Sequence, residues 1–314
     1  MSKILDALRL ADAESQHERS RATTEAWAGS RPFDVISVAS NKGGVGKTTV
    51  ATNLAVYLHA LRENDPVLVL GFDDQTTLDR MFALDPSPPA GGIAEGLRSG
   101  TLARVARLGQ YGVEYVPTCD DLSTLKGLIE EPWELMRVLL ASRRQGTVVI
   151  DTKSDFENLT QAALGVSDLT IVVVKDQASL HEARRVYDWL ERERRPIEQA
   201  RILLSLVDLR VKFYEDEDAD VLAHLVGEIR KLGYPLFETF LSRSPKVESL
   251  YTNPQGRAYS ILQAAHQTVV HRQMHQLAVE VLTAVAQNRG GASDGARQAK
   301  GPNAHWIEDG PTRP

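Results

Sequence analysis

The chain has 314 residues, of which 42% are hydrophobic and 25% charged, and its formal net charge at pH 7 is −6. This length suffices for one large hydrophobic core with appendages, and no uninterrupted apolar run reaches the ~20 residues of a membrane-spanning helix. The single cysteine, Cys119, excludes an internal disulfide and a metal cluster built from one protomer's cysteines, while the negative charge means that nucleic-acid binding needs a local basic patch.

The first predicted element is a short amphipathic helix over residues 2–14. Its apolar side chains Ile4, Leu5, Leu8 and Ala11 form one stripe. Residues 14–26 contain almost no large apolar side chain, so we interpret them as a flexible linker. Arg31 and Pro32 mark the start of the main domain, and the start of the chain lacks the long apolar region of a secretory leader.

A buried strand over residues 34–40 precedes the most informative stretch, which runs from Asn41 to Thr49. This glycine-rich run leads into a helix, since apolar residues recur at helical spacing from Val50 to Leu61. A loop of this kind wraps phosphate in backbone N–H groups, and the helix dipole favours the negative charge. In such a loop the lysine before the helix, here Lys47, reaches the β- and γ-phosphates, and the hydroxyl of the next residue, Thr48, binds Mg²⁺. The sequence therefore predicts a nucleotide site made of Lys42, Gly43, Gly44, Val45, Gly46, Lys47, Thr48 and Thr49.

The run differs from the plain P-loop pattern, which has glycine at the position of Asn41, and carries an additional lysine, Lys42, at its head. In this it resembles the ParA/MinD family of ATPases. In that family the additional lysine reaches across a dimer interface to the nucleotide of the partner. The resemblance covers roughly residues 33–287 and implies an ATP-sandwich homodimer in which Lys42 acts in trans.

Two further buried strands end in carboxylates. Residues 66–72 precede Asp73, and residues 146–150 precede Asp151. Because ligands of open parallel sheets bind outside the carboxyl ends of the strands, we expect both acids near the P-loop. Asp151 fits the Walker B aspartate, which holds a Mg²⁺-bound water, and the resemblance implies that Asp73 orients the attacking water. The predicted catalytic residues are Lys42, Lys47 and Asp73, and the predicted metal residues are Thr48, Asp73 and Asp151.

Three positions depart from the family pattern. Gly71 replaces an aspartate, which removes one carboxylate from the outer shell of the metal; Asp74 either offsets this loss or lies on a surface turn. Lys153 occupies a position where the family has a small residue or proline, and it either binds near the phosphates or faces solvent. Ser205, in a predicted strand over residues 201–207, replaces an asparagine that reads the adenine edge, and its hydroxyl can still bind the base.

The rest of the chain completes an α/β pattern. We predict strands over residues 113–117, 168–174 and 236–241, helices over 179–194 and 262–287, and a loop over 242–246 that borders the base. The polar end of the chain lacks the basic membrane-binding helix of MinD-type proteins. This difference favours the ParA branch, and we expect no stable membrane anchor. We predict a doubly wound, mainly parallel sheet flanked by helices. Its parts are an N-terminal helix and linker over 1–31, a ParA-like ATPase domain over 32–288 and a disordered tail over 289–314.

Three kinds of function fit this pattern. The first is a cytoplasmic switch that dimerises on ATP and Mg²⁺, hydrolyses ATP slowly and positions a DNA or protein cargo, with the nucleoid as its matrix. The second is a regulatory or scaffold ATPase without DNA binding, in flagellar, secretion or polysaccharide assembly. The third is a metabolic relative, such as an amidoligase-type or metallochaperone enzyme; against it, the sequence has no cysteine pair and no second catalytic constellation.

Two surfaces are candidates for partners. Nonspecific DNA would bind the basic positions of the helix over 179–194, which are Arg184, Arg185, Arg192, Arg194 and Arg195. The alternative has equal weight: three of these arginines lie near the C-terminal end of the helix, where cations interact favourably with the helix dipole, and neighbouring glutamates dilute the basic patch. The helix over 2–14 is marginal alone in water, so it docks either in a groove of a cargo or activator protein or on its own ATPase domain or the other protomer.

Overall fold

The computed structural model describes residues 15, 17–24, 27, 31–73, 77–84, 91–118, 125, 127–208, 210, 221–252 and 256–290. The strands of these residues are β1 Phe33–Ala39, β2 Val67–Gly71, β3 Arg107–Leu108, β4 Glu114–Tyr115, β5 Gly146–Asp151, β6 Leu169–Val174 and β7 Ala200–Leu204. Their main helices are α1 Lys47–Leu61, α2 Thr77–Phe82, α3 Ile93–Ser99, α4 Pro132–Ser142, α5 Asn158–Val166, α6 Gln177–Arg192, α7 Val221–Lys231, α8 Pro245–Ser249, α9 Ile261–Ala264 and α10 Val269–Asn288.

The strands form one sheet in the order β3-β4-β2-β5-β1-β6-β7. All neighbours pair in parallel except β3 and β4. The central strand β1 places Ile36 beside Val149 of β5 and Leu169 of β6. The prediction of a doubly wound, mainly parallel sheet is confirmed. This order also brings the carboxyl ends of β1, β2 and β5 together at one edge.

Helices cover both faces of the sheet. Ile36 and Val38 of β1 pack in the cluster that contains α1 and α10, whereas Phe33 and Val35 pack with α4 and α5 on the other face. Burial on both faces explains why the central strands read as continuous apolar runs instead of alternating patterns. The sheet edge that carries the P-loop is thus held on a rigid, two-sided core.

The C-terminal helix predicted over residues 262–287 is interrupted. Helix α9 ends at Ala264 and α10 begins at Val269, so the prediction of one continuous helix is wrong at residues 265–268. The side chain of Thr268 accepts a hydrogen bond from the backbone N–H of His271 and caps the new helix. Apolar spacing continues through the break, so periodicity alone did not reveal it.

The strand predicted over residues 236–241 is also not continuous. Its backbone joins the sheet through two isolated bridges, one at Leu236 and one at Ser242. Between them, the N–H groups of Glu238 and Thr239 each donate to the carboxylate of Glu280 at 2.9 Å. These donors are satisfied by a side chain of α10 instead of a neighbouring strand, which explains the interruption.

Residues 17–24 are helical, so the predicted flexible linker is wrong for this stretch. The Nε2 atom of His17 lies 2.8 Å from the carboxylate of Glu193, and the Ser20 hydroxyl donates to Glu131 at 2.9 Å. These partners are more than 100 residues away in sequence. The segment is polar and gains its order from distant contacts, which local hydrophobic periodicity does not report.

Other predictions fall outside the described residues. They concern the helix over 2–14, the residues Asp74 and Cys119, and the tail beyond residue 290. The bounds 1–31, 32–288 and 289–314 therefore stay predictions. Within the described part of the chain, no helix combines the length and apolarity that crossing a membrane requires.

Candidate nucleotide-binding site

The loop between β1 and α1 forms an open cradle of backbone groups. Gly44 and Gly46 adopt left-handed backbone angles, with φ of 69° and 94°, which side-chain-bearing residues rarely adopt. A Cβ atom built on Gly43 or Gly44 has no other atom within 4 Å. Gly46 is the N-cap of α1 and has no side chain to accept from the first N–H groups of the helix. Those donors are therefore oriented for an anion such as phosphate.

Lys47 begins α1, directly after this loop. It is only 6% exposed, and its Nζ atom donates to the Ser154 hydroxyl at 2.6 Å. A buried ammonium group is costly without an anionic partner, so a phosphate group would suit this position. Sequence reasoning missed Ser154. The signal was a hydroxyl residue three positions after Asp151, in the stretch where the family that the sequence resembles has a small residue and prolines.

Asp151 lies at the end of β5, beside Lys47 and the Thr48 hydroxyl. Its Oδ1 atom is buried and has no hydrogen-bond partner among the described residues. Burial raises the pKa of Asp151 to about 7, although Thr48 and Lys47 act in the opposite direction; Asp73 raises it further. An orphaned buried carboxylate oxygen beside a hydroxyl fits Mg²⁺, which prefers oxygen ligands and waters. Thr48 and Asp151 are thus suited to hold the ion.

Asp73 follows the neighbouring strand end. Gly71 of β2 pairs with Asp151 of β5, and the Phe72 N–H donates to the Asp151 carbonyl at 2.9 Å. Asp73 lies close enough to influence the pKa of both Asp151 and Lys153. The expected convergence of the two acids beside the P-loop is therefore found. The assignment of Asp73 to water orientation stays a prediction.

Gly71, which stands in place of an aspartate, has close side-chain neighbours. A Cβ atom built on Gly71 lies 3.3 Å from both Leu78 Cδ1 and Thr118 Cγ2. The Thr118 N–H donates to the Asp79 carboxylate, at 3.2 Å to its nearer oxygen, which fixes this neighbour. The Cβ atom of an aspartate at this position would therefore lie in tight contact with the side chains of Leu78 and Thr118.

Lys153 pairs with a local carboxylate. Its Nζ atom lies 2.9 Å from Asp155, and this hydrogen bond is the main reason that the pKa of Lys153 is raised. Its side chain is about one third exposed. The structure thus shows an ion pair at a position where the sequence left phosphate binding and solvent exposure open.

The head of the P-loop is tied to the junction of β6 and α6. The Lys42 ammonium lies 3.0 and 2.8 Å from the two carboxylate oxygens of Asp176. Burial alone would raise the pKa of Asp176, but hydrogen bonds from Lys42 and Ser179 outweigh it and hold the pKa below its ordinary value. The trans role of Lys42 stays a prediction. Sequence reasoning missed Asp176, because 134 residues separate it from Lys42.

Ser205 lies just after β7, buried beside the P-loop. A Cβ atom built on Gly46 lies 3.3 Å from the Ser205 hydroxyl oxygen, so this hydroxyl contributes to the requirement for glycine there. Its contact with adenine stays a prediction. In the predicted base-bordering loop, α8 begins at Pro245, and the Ser244 side chain caps it.

The arginines predicted to bind DNA fall into two groups along α6 and its end. They are Arg184 and Arg185 on the second and third turns, and Arg192, Arg194 and Arg195 at the C-terminal end. About 12 Å of helix axis separates Arg184 from Arg192. Arg185 pairs with Glu182 at 3.3 Å, and the Arg195 guanidinium lies 5.7 Å from the centre of the Trp189 ring. DNA binding by the five arginines stays a prediction.

Comparison with known proteins places these features among nucleotide-binding proteins. A family model described as the CobQ/CobB/MinD/ParA nucleotide binding domain matches residues 36–249, more than half of the chain. A ParA family protein of Mycoplasma pneumoniae is 24% identical over 68% of this chain and 84% of its own length. The antiactivator FleN of Pseudomonas aeruginosa is 27% identical over 52% of this chain and 58% of its own length.

A solved structure shows the same fold. The septum site-determining protein MinD of Pyrococcus horikoshii, in complex with Mg-ADP, superimposes with a TM-score of 0.62. The match covers 82% of this chain and 98% of the MinD chain, at 17% sequence identity. The ligand of that structure agrees with the predicted cofactors, a nucleotide and Mg²⁺.

Proposed function

Because the chain belongs to the CobQ/CobB/MinD/ParA nucleotide-binding family, we propose that it is an ATP-dependent, dimerising switch ATPase of the ParA type that positions or partitions a cargo. The observation that carries this proposal is the buried, unpartnered Oδ1 atom of Asp151 beside Thr48 and Lys47. Lys47 and the loop N–H groups would hold the phosphates, and Thr48 and Asp151 would hold Mg²⁺. The metal, when bound, neutralises phosphate charge.

The remaining site residues, Asp73 and Lys42, would control hydrolysis and dimerisation. Asp73 is positioned at the strand edge beside Asp151 and would orient the attacking water, while Lys42 would contact the nucleotide of a second protomer. Slow hydrolysis would then let the protomers separate. Because such a switch acts through its dimer surface, its useful output is the binding and release of partners. The chromosome partitioning protein ParA of Caulobacter vibrioides is 26% identical over 63% of this chain, which supports a partitioning role.

Sizing by light scattering tests the proposal. The wild-type protein is expected to shift from monomer to dimer with ATP and Mg²⁺ but not with ADP. Lys42→Ala should bind nucleotide nearly as well but dimerise less, because the lost ammonium would contact the nucleotide of the partner. Lys231→Ala, which removes a lysine paired with Glu228 on the surface of α7, is the matched control. Equal dimerisation of Lys42→Ala and wild type in ATP would contradict the trans role.

Replacing Asp73 by alanine is expected to trap the ATP dimer. The phosphate and metal groups remain while water positioning is lost, so the rate of phosphate release should fall ~100-fold or more. Phosphate release and the lifetime of the dimer after dilution measure the two effects. Asp65→Ala, on the turn after α1 where Asp65 pairs with Arg62, should retain both properties. If Asp73→Ala hydrolysed ATP at the wild-type rate, another group would have to orient the attacking water.

A second candidate is a regulatory or scaffold ATPase without DNA binding. The glutamates paired with Arg185 and Arg192 favour it, as does the similarity to the antiactivator FleN. A filter-binding assay with ATP in low salt distinguishes the two. A positioning ATPase that uses the nucleoid should retain nonspecific DNA with a steep salt dependence, which Arg184→Ala with Arg185→Ala should flatten. Complete lack of retention would favour the scaffold.

Deletions separate two roles of the N-terminal residues. Removing residues 1–14 is expected to abolish docking to a cargo or activator while leaving the melting temperature unchanged. Removing residues 1–26 should also lower the melting temperature by a few degrees, because it deletes the contacts of His17 and Ser20 with Glu193 and Glu131, each contributing up to ~1 kcal/mol. Cellular positioning, ATP turnover and thermal melts are the measurements. A large fall in melting temperature for the shorter deletion would show that its helix belongs to the fold.

A further inference from the structure

The two most exposed large apolar side chains of the described residues lie at the same edge of the sheet. Leu84 and Leu108 are 63% and 64% exposed. Leu108 belongs to β3, the outermost strand, and Leu84 follows α2. The segment that carries Leu84 is tied to the residues after β3, because the Gln110 side chain donates to the Ala83 carbonyl at 3.0 Å. Exposed apolar side chains that cluster, unlike scattered ones, indicate an interaction site.

The backbone of β3 is open to a further strand at Leu108. This residue pairs with Glu114 of β4, and the next residue, Gly109, donates its N–H to the Val113 carbonyl at 2.8 Å. Because hydrogen-bonded and non-hydrogen-bonded pairs alternate along antiparallel strands, the pair of Leu108 and Glu114 is of the second kind. The N–H and C=O groups of Leu108 therefore point away from β4, to an edge where the described residues place no further strand. Such an edge can accept an extended peptide.

Basic side chains flank this edge on the face that carries α3 and α4. Residues 91–108 and 132–145 contain six arginines, no lysine and two glutamates. One of the glutamates, Glu134, is engaged locally, since it accepts from the backbone N–H groups of Glu130 and Glu131 at 2.7 and 3.0 Å. Four of the arginines are exposed and form no ion pair with the described residues: Arg98, Arg104, Arg137 and Arg144. This face is thus basic, although the whole chain has a net charge of −6.

Two contacts bring three of these arginines to the strand edge. The Leu102 N–H donates to the Ser142 hydroxyl at 2.7 Å, which joins the loop after α3 to the end of α4. Arginines 98, 104 and 144 each lie within four residues of this contact. Next to them in the chain, Arg143 pairs with Glu114, whose side chain lies on the same face of the sheet as that of Leu108. The arginines and leucines together form one surface, the β3 edge surface: Leu84, Arg98, Arg104, Leu108 and Arg144.

We propose that the β3 edge surface binds an extended acidic segment of a partner protein, which adds a strand to the sheet beside β3. The unpaired arginines select acidic side chains by charge complementarity, and the two leucines select apolar ones. In a strand these two kinds of side chain alternate between the faces. Exposed leucines with arginine but no lysine match the composition of protein interfaces, whereas phosphate is bound by both cations. Binding at this surface needs no nucleotide and is therefore separate from the proposed switch.

Fluorescence anisotropy with the nucleotide-free protein tests the surface. The probe is a short peptide in which glutamate alternates with valine. It should bind, and its affinity should fall as salt rises, because exposed charge pairs are screened. Arg104→Glu with Arg144→Glu should weaken binding about tenfold, since attractive pairs become repulsive. Arg230→Glu with Arg272→Glu, at exposed arginines outside this surface, is the matched control and should bind as wild type does. Equal affinities of the two double variants, each folded by thermal melt, would overturn the assignment of the surface.

Strand addition has a readout of its own. In the wild-type protein the peptide should slow hydrogen exchange at the Leu108 N–H, because this group would donate to the peptide backbone. Leu108→Ala should weaken binding, and Leu108→Pro should weaken it further, since proline also lacks that N–H and is tolerated in an edge strand. Peptide binding without protection of the Leu108 N–H would show that no strand is added. Tighter binding of a short DNA duplex than of the peptide, lost in Arg104→Glu with Arg144→Glu, would overturn the proposal in favour of a nucleic-acid partner.

Discussion

Replacing Lys47 by alanine is expected to lower the affinity for ATP by ~100-fold or more. The Lys47 ammonium is buried at the start of α1, where it donates to the Ser154 hydroxyl and is close enough to Asp151 to lower the pKa of that carboxyl. Phosphate would be its strongest partner, and removing one member of a buried charge pair costs ~3–5 kcal/mol. Because ~1.4 kcal/mol corresponds to a factor of ten, the loss should be plain in a titration with a fluorescent nucleotide.

Two controls separate the lost charge from a general disturbance of the loop. Lys231→Ala removes a lysine from the surface of α7 and should bind ATP as the wild type does. Ser154→Ala removes the neutral partner of Lys47 and should change the affinity only a few-fold, because the ammonium then turns to the phosphates without competition. If Lys47→Ala bound ATP with wild-type affinity, the P-loop interpretation would be wrong.

The phosphate loop and the strand ends could be predicted because their signals are local. The run from Asn41 to Thr49 carries its glycines, lysines and hydroxyls within nine residues, and the strands before Asp73 and Asp151 are short apolar runs that end in a carboxylate. A parallel sheet brings the carboxyl ends of such strands to one edge. Sequence and topology together therefore predicted that Asp73 and Asp151 converge at one sheet edge, where Gly71 pairs with Asp151 and Asp73 raises the pKa of Asp151.

Contacts between distant residues could not be predicted in this way. Asp176 pairs with Lys42 across 134 residues, and neither residue type nor spacing indicates that pairing. The helix over residues 17–24 depends on Glu131 and Glu193, which the local pattern does not contain. The sequence therefore did not reveal the tertiary side-chain contacts that hold the site together.

Replacing Asp151 by asparagine is expected to stabilise the nucleotide-free protein at pH 8. Burial raises the pKa of Asp151 from its ordinary 3.8 to about 7, so the folded state binds more protons than the unfolded state between about pH 4 and pH 7. Stability contributed by this carboxyl therefore falls as the pH rises through that window and stays low above it. Asparagine has no charge to desolvate, and since one pKa unit corresponds to ~1.4 kcal/mol, the gain at pH 8 is on the order of 2–4 kcal/mol.

The pH dependence and the response to Mg²⁺ make this prediction specific. Thermal melts in a chelator should show the variant melting several degrees above wild type at pH 8, with the difference shrinking as the pH falls towards 4. Asp208→Asn, at an exposed pair with Arg210, should show no such rise.

Adding Mg²⁺ and ATP should reverse the order of the two melting temperatures, because a ligand that binds the folded state stabilises it and the variant lacks the metal-binding carboxylate. Two results would show that Asp151 serves the fold and not the metal. The variant could melt below wild type without ligand, or its melting temperature could rise as much with Mg-ATP as that of wild type. We thus expect the variant to be more stable but unable to bind the metal. A buried carboxylate of this kind lowers the stability of the fold and is kept because function requires it.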